Sequence, residues 1–452
     1  MLVVLLFVWA FNAVDINALG LVMQNIKMDL HLSDTQLGVL TGIAFALLYS
    51  IMGIPLARWA DRGNRVTILS LTAAVWSVLV ALCGTAANFT QLMLLRVGVG
   101  IGEAGCMPAS QSLIADYFTR AERPRAMAIF LLGDVLCMFF GLFVAGWLNE
   151  LYGWRVMFVI LGLPGLALAA LVRFTFKEPR LERMRPAAGD QWAAKTLAQP
   201  GISAQSPAPP SLKEVCVTLW SNTTFRHLVL YFSVGTFFSA GIMQWQPSFL
   251  IRSYGFKTGE LGTWLAVING LSILIGRYGG GELASRLAAN NERLQLKAMA
   301  IVFCVSGVLS TLIYLVPNRY LAFGFIFLSA MLANLIVPST YALLQTLVPE
   351  RMRAVAVAIV FFVSALIGGG LGPLASGALS DALRPRFGEE SLRYALLALS
   401  PGYLWGAWYL WRGSQTVSRD LQRILLTGEP GGDVTTTPAA AEEQPWLDVS
   451  LR

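Results

Sequence analysis

RVGVGIGEAG, residues 96–105, can be read in two ways that lead to different folds. Gly100, Gly102 and Gly105 spell GxGxxG, which in a dinucleotide-binding protein follows a strand and opens a helix. Here the motif lies inside an apolar run, about 90–115, that is long enough to be one helix throughout. In that setting the glycines are expected to let neighbouring helices approach closely. A second consequence follows. Glu103 is the one carboxylate between Phe89 and Ala115, and the run places it near the middle of a membrane. An ionised side chain there costs about 2.5–3.5 kcal/mol on insertion scales, so an intramembrane carboxyl is a functional-site hypothesis by default.

The rest of the chain supports the membrane reading. Of 452 residues, 56% are hydrophobic and 13% charged, about half the charge of an ordinary soluble protein. The charges gather between runs of ~20 apolar residues, the length needed to cross a ~30 Å hydrocarbon core. Twelve runs are expected, at about 1–24, 35–58, 66–87, 90–115, 125–149, 155–176, 225–251, 259–284, 295–316, 319–346, 352–380 and 392–412. The fold class is therefore an all-α membrane protein. The net charge of +7 does not indicate nucleic acid. Its basic residues occupy alternate loops: Arg58, Arg62 and Arg65, then Arg120, Arg123 and Arg125, then Lys177, Arg180, Arg183 and Arg185. By the positive-inside rule these loops and both termini face the cytoplasm.

Five scattered cysteines show no CxxC or metal spacing, and no metal or cofactor is expected. With two histidines and no nucleophile–base motif, the chain does not read as an enzyme. The first run lacks a basic leader and reads as a retained helix, not a cleaved signal.

The chain divides into a six-helix bundle at 1–176, an inter-bundle loop at 177–224 containing SAQSPAPPS, a second bundle at 225–412, and a polar tail at 413–452 expected to be disordered. The halves repeat. ARWADRGNR at 57–65 corresponds to GELASRLAA at 281–289, and RPRAMAIF at 123–130 to RMRAVAVA at 351–358, at offsets of 224 and 228 residues. Two parallel repeats around a central site are a known transporter plan.

These motifs carry a specific resemblance over nearly the whole length. ARWADRGNR resembles the loop 2–3 signature of the major facilitator superfamily, and residues 96–105 resemble its helix-4 motif. LSDTQLGVLTGIAFALLYSIMGIPLARWADRGNR, followed by RVGVGIGEAG, ADYF and YGWR, resembles the spinster family within it. The resemblance implies a major facilitator fold and transport of lysolipids or sphingosine-1-phosphate-like lipids, often coupled to protons. Spinster-like proteins often follow the helix-1 acid with arginine; this chain has Ile16 after Asp15.

Asp15 and Glu103 are the candidate proton-coupling groups, and Arg96 is the candidate cation for a substrate headgroup. Arg96 precedes Glu103 by seven residues, ~10.5 Å along the axis and on nearly the same helix face. Asp134, Gln244, Trp245, Asn269 and Asn334 are candidate cavity residues. Asp61, Arg62, Arg65, Asp116 and Arg125 are a candidate cytoplasmic gate, in which carboxylate–guanidinium pairs latch two bundles in one state and release them in another. The expected function is a proton-coupled, monomeric transporter of a lysolipid or sphingolipid in a bacterial inner membrane. A drug or organic-anion antiporter on the same fold and a non-transporting lipid receptor are the alternatives.

Overall fold

The computed structural model describes residues 1–119, 122–178, 217, 219–287, 291–348 and 352–427. The side chains of residues 61, 62, 124, 287, 353, 354 and 423–427 are also outside the description. Among the described residues there is no strand.

The first bundle begins with α1, Leu2–Leu30. Helix α2 comprises Asp34–Thr41 and Ile43–Arg62, broken at Gly42. Helix α3 is Arg65–Cys83, and α4 comprises Phe89–Glu103 and Cys106–Tyr117. Helices α5 and α6 cover 123–152 and 154–175. They are interrupted by a turn at Leu132 and at Gly153, whose φ of 81° reverses the chain in a backbone region that disfavours other residues. The second bundle follows. Helix α7 is Thr223–Tyr254, α8 is Thr258–Leu287 and α9 is Glu292–Leu315. Helix α10 comprises Arg319–Leu335 and Val337–Thr346. Helix α11 runs from Arg353 to Phe387, and α12 comprises Ser391–Leu399 and Gly402–Thr427. Among the described residues, ten stretches are long and apolar enough to cross a membrane. Two of them, Arg125–Thr175 and Val355–Gln422, are far longer than one crossing and each contain two helices, giving the twelve expected. The last helix continues beyond Arg412 to Thr427, so the start of the expected tail is helical.

Local chemistry sets the helix starts. A helix leaves its first backbone N–H groups without intrahelical partners, and a side-chain oxygen at the N-cap satisfies one of them. Ser33 begins α2 with a reciprocal capping box to Gln36. Asn64, Asn88, Asn222, Asn291 and Asn318 cap α3, α4, α7, α9 and α10. Outside the packed core, large apolar side chains such as Leu94, Phe140, Phe174 and Ile301 face outward. Lipid satisfies such side chains, and the chain is an integral membrane protein.

The repeat is visible in the irregularities. Helices α5 and α11 each widen into a π-helical turn, at Cys137–Gly141 and Ala365–Gly370. These start 228 residues apart, the offset that separates RPRAMAIF from RMRAVAVA. Such turns are frequent at functional sites.

The bundles meet along two related seams, α2 with α11 and α5 with α8, and α1 also packs on α7. Each seam is tight on the far face, the side where α1 ends. There a Cβ added to Gly42 would lie 2.2 Å from the Gly370 carbonyl oxygen, and one added to Gly146 would lie 3.0 Å from the Gly262 Cα. On the terminus-bearing face, where α1 begins, Cys106–Tyr117, Arg123–Leu131, Val337–Thr346 and Arg353–Ser364 make extended contacts only within their own bundles. The described residues thus form a V, closed at the far face and open at the terminus-bearing face.

Candidate functional site

The first bundle encloses a charged cluster. Asp15 projects from α1 and Arg96 from α4, and their Oδ2 and Nη1 atoms are 2.6 Å apart. Both side chains are about 1–2% exposed. The Arg96 guanidinium carbon lies 5.5 Å from the Phe45 ring centroid on α2, within cation–π range. Glu103 is 1% exposed, and no protein group donates a hydrogen bond to either carboxyl oxygen. Asp15 and Arg96 act on it electrostatically, and Tyr49 and Cys106 border it. Asp15 Oδ1, Arg96 Nε, Asn12 Nδ2 and Trp76 Nε1 are likewise buried without a protein hydrogen-bond partner. More than nine in ten buried polar groups are normally paired, so such a concentration is unusual.

The glycines of the opening motif explain how the cluster is enclosed. A Cβ on Gly100 would lie 2.8 Å from the Phe45 carbonyl oxygen of α2. On Gly102 or Gly105 it would lie 2.8 or 2.7 Å from Trp76 or Thr72 of α3. They bring α4 against two neighbours, and no strand precedes them. The nucleotide reading is excluded on both counts.

The candidate gate is divided. The side chains of Asp61 and Arg62 lie outside the described residues. Arg65 is fully buried and binds Asp116 Oδ2 at 2.6 Å and Ser112 on α4, and also Glu178 beyond α6. These ties hold one bundle together; they do not join two. Arg125 is exposed. Glu178 was not among the sequence candidates, because it sits in a loop rich in charge.

The candidate cavity residues separate as well. Asp134 on α5 is half-buried, accepts a hydrogen bond from Trp9 Nε1 at 2.8 Å and pairs with Arg277 on α8 at 3.1 Å. Trp245 is wholly buried, with its indole N–H on the Pro373 carbonyl, so it packs the far-face closure instead of facing an open cavity. Gln244 lies against Gly20, and its Nε2 has no protein partner. Asn269 and Asn334 donate to carbonyls one turn back in their own helices, Leu265 and Ala330.

Sequence reading missed the network that closes the far face. Asp34, at the start of α2, is 1% exposed. It accepts from Lys27 Nζ at 2.6 Å, from Arg252 Nη1 and Nη2 at 2.8 and 2.7 Å, and from Ser380 Oγ at 2.7 Å. Asp381 accepts from the backbone N–H groups of Asp34 and Thr35. Along the other seam, Asn149 donates to Thr258, and Glu150 accepts from the Gly259 N–H. Apart from Lys27, the partners of Asp34 lie more than two hundred residues away in the sequence.

Comparison with known proteins agrees with this architecture. Residues 5–373 match the Major Facilitator Superfamily. An MFS-type efflux pump of Mycolicibacterium smegmatis is 32% identical over 423 residues, covering 92% of this chain and 93% of the pump. A probable L-galactonate transporter of Escherichia coli is 26% identical, covering 88% of this chain and 84% of its own length. The crystal structure of a bacterial homolog of the human lysosomal transporter spinster, in an inward-facing and unoccupied conformation, superposes with a TM-score of 0.78 at 28% identity. That superposition covers 93% of this chain and 97% of the homolog. The chain belongs to the Major Facilitator Superfamily, as a secondary transporter similar to the spinster proteins.

Proposed function

We propose that the chain is a proton-coupled transporter of an amphipathic lysolipid or sphingosine-1-phosphate-like lipid, working by alternating access in a bacterial inner membrane. The positive-inside rule supports a cytoplasmic terminus-bearing face, and on that reading the V opens inward. The observation that carries the proton coupling is the sealed Asp15–Arg96–Glu103 cluster. One guanidinium balances one carboxylate; a second buried carboxyl without a hydrogen-bond donor is least costly when it carries a proton. Glu103 then holds a proton while the cluster is closed. A proton on Asp15 releases Arg96, and the freed guanidinium can take a substrate anion in place of the carboxylate. Proton and substrate thereby compete for one cation, and each favours the bundle arrangement in which it binds more tightly.

Likeness to the spinster structure supports the lipid substrate. A second reading, an antiporter of drugs or organic anions, is supported by the resemblance to the mycobacterial efflux pump and the galactonate transporter. The test is uptake of a fluorescent lysolipid into proteoliposomes, with and without a pH gradient, for wild type and Glu103→Gln. Uptake that follows the gradient in the wild type and loses it in the variant is expected. Gradient-independent uptake in both would reduce Glu103 to a structural role. Absence of lysolipid uptake beside uptake of an organic acid would move the substrate to the second reading.

A further inference from the structure

Arg96 is enclosed and occupied by Asp15, so in this conformation it offers no open cation to an arriving substrate. Another pair does. Asp134 lies eleven residues into α5, roughly 16 Å along its axis, and Arg277 lies ten residues before the end of α8, roughly 15 Å. Both helices are longer than a ~30 Å core, so the two groups lie inside it, toward its terminus-bearing side. Yet their side chains are 25% and 40% exposed. Charges at such depth persist where they face a water-filled cavity. They lie where the far-face contacts give way to the opening. Trp9 of α1 donates to Asp134, and Tyr341 of α10 stands within electrostatic range of both. Helices of both bundles thus surround the pair. The buried Arg277 Nε has no protein partner, and one of its two Nη atoms carries the bond to Asp134.

From this geometry we propose that Arg277 is an anion-binding residue of the open cavity, with Asp134 as an internal counter-ion that an incoming phosphate or carboxylate head displaces. The guanidinium's planar fork matches either oxyanion through two parallel N–H donors. Trp9, part-exposed beside the pair and backed by the buried Phe130 ring, would border an alkyl chain. Displacement breaks the bond between α5 and α8, so loading the site removes one tie between the bundles. The proposal rests on the chain being a transporter of an anionic molecule, and leaves open whether the anion is a lipid headgroup or a free acid.

The experiment measures equilibrium binding of radiolabelled lysophosphatidylglycerol and, separately, galactonate to the full chain in neutral detergent. Wild type, Arg277→Gln and Asp134→Asn are compared. Both substitutions break the same ion pair, so a purely structural pair predicts that both weaken binding. The proposal predicts opposite signs. Arg277→Gln should weaken binding about tenfold or more, as expected for a lost charged hydrogen bond. Asp134→Asn keeps an oxygen for Trp9 but removes the competing charge. It should tighten binding about two- to fivefold, the scale of a half-exposed ion pair. This pattern with lysophosphatidylglycerol supports both the site and the lipid reading; with galactonate alone it supports the site and overturns the lipid reading. Binding indifferent to Arg277→Gln, weakened by both variants, or absent for both compounds in the wild type overturns the site.

Discussion

Asp34→Asn should open the far face. In the structure the carboxylate is 1% exposed and faces two cations, Lys27 from its own bundle and Arg252 from the other, together with the Ser380 hydroxyl on α11. Asparagine can keep a hydrogen bond or two but supplies no charge. The substitution therefore leaves two nearly buried cations without their shared anion, and breaking a buried pair from one side costs about 3–5 kcal/mol. That cost applies only while the bundles are closed, because separation returns both cations to water. Taking the lower figure, about 3 kcal/mol, the closed-to-open equilibrium moves about 150-fold. A far-face-open population of about 1% would become the majority conformer. The assay is double electron–electron resonance between labels at the exposed Met28 and Glu389, one on each bundle at the far face, with native cysteines replaced. Wild type should give a dominant short distance, and Asp34→Asn a dominant long one. An unchanged distance distribution would refute the assignment of Asp34 as the closing hub.

Three further outcomes follow from the packing. Gly42→Ala places a methyl 2.2 Å from the Gly370 carbonyl oxygen, so transport should be lost, whereas Gly53→Ala, with nothing within 4 Å, should be silent in the same uptake assay. Arg65→Met removes the guanidinium that ties α3 to Asp116 and Glu178 and should lower stability by about 3 kcal/mol, read as a fall in Tm, with partial recovery in Arg65→Lys. Asp15→Asn and Arg96→Gln should each lower Tm, while the double variant regains much of the loss and remains without pH-driven uptake; strictly additive effects would show that the 2.6 Å pair is not energetically coupled.

The sequence by itself determined the solvent, the element count and the repeat. A run that must cross a hydrocarbon core needs a minimum length of apolar residues, and that requirement is local, so twelve crossings could be counted from the chain. The buried carboxyls were legible for the same reason: Asp15 and Glu103 stand out because an isolated charge in an apolar run is costly wherever its partner lies. Partnership was not local. Arg96 was selected as a cation for substrate, but only the crossing of α1 and α4 showed that it is held by Asp15. Arg277 was not among the sequence candidates, and only the packing of α8 on α5 pairs it with Asp134. Arg65 read as part of a latch between bundles; in this conformation, open at that face, packing gives it Asp116 and Glu178 as partners. Asp34 was not singled out in the sequence, yet three cationic or hydroxyl side chains from α1, α7 and α11 make it the hub of the closed face. Periodicity and length report the cost of each residue against its surroundings. Ion pairs and closures depend on which side chains are brought within 3 Å of one another, and only packing between distant helices decides that.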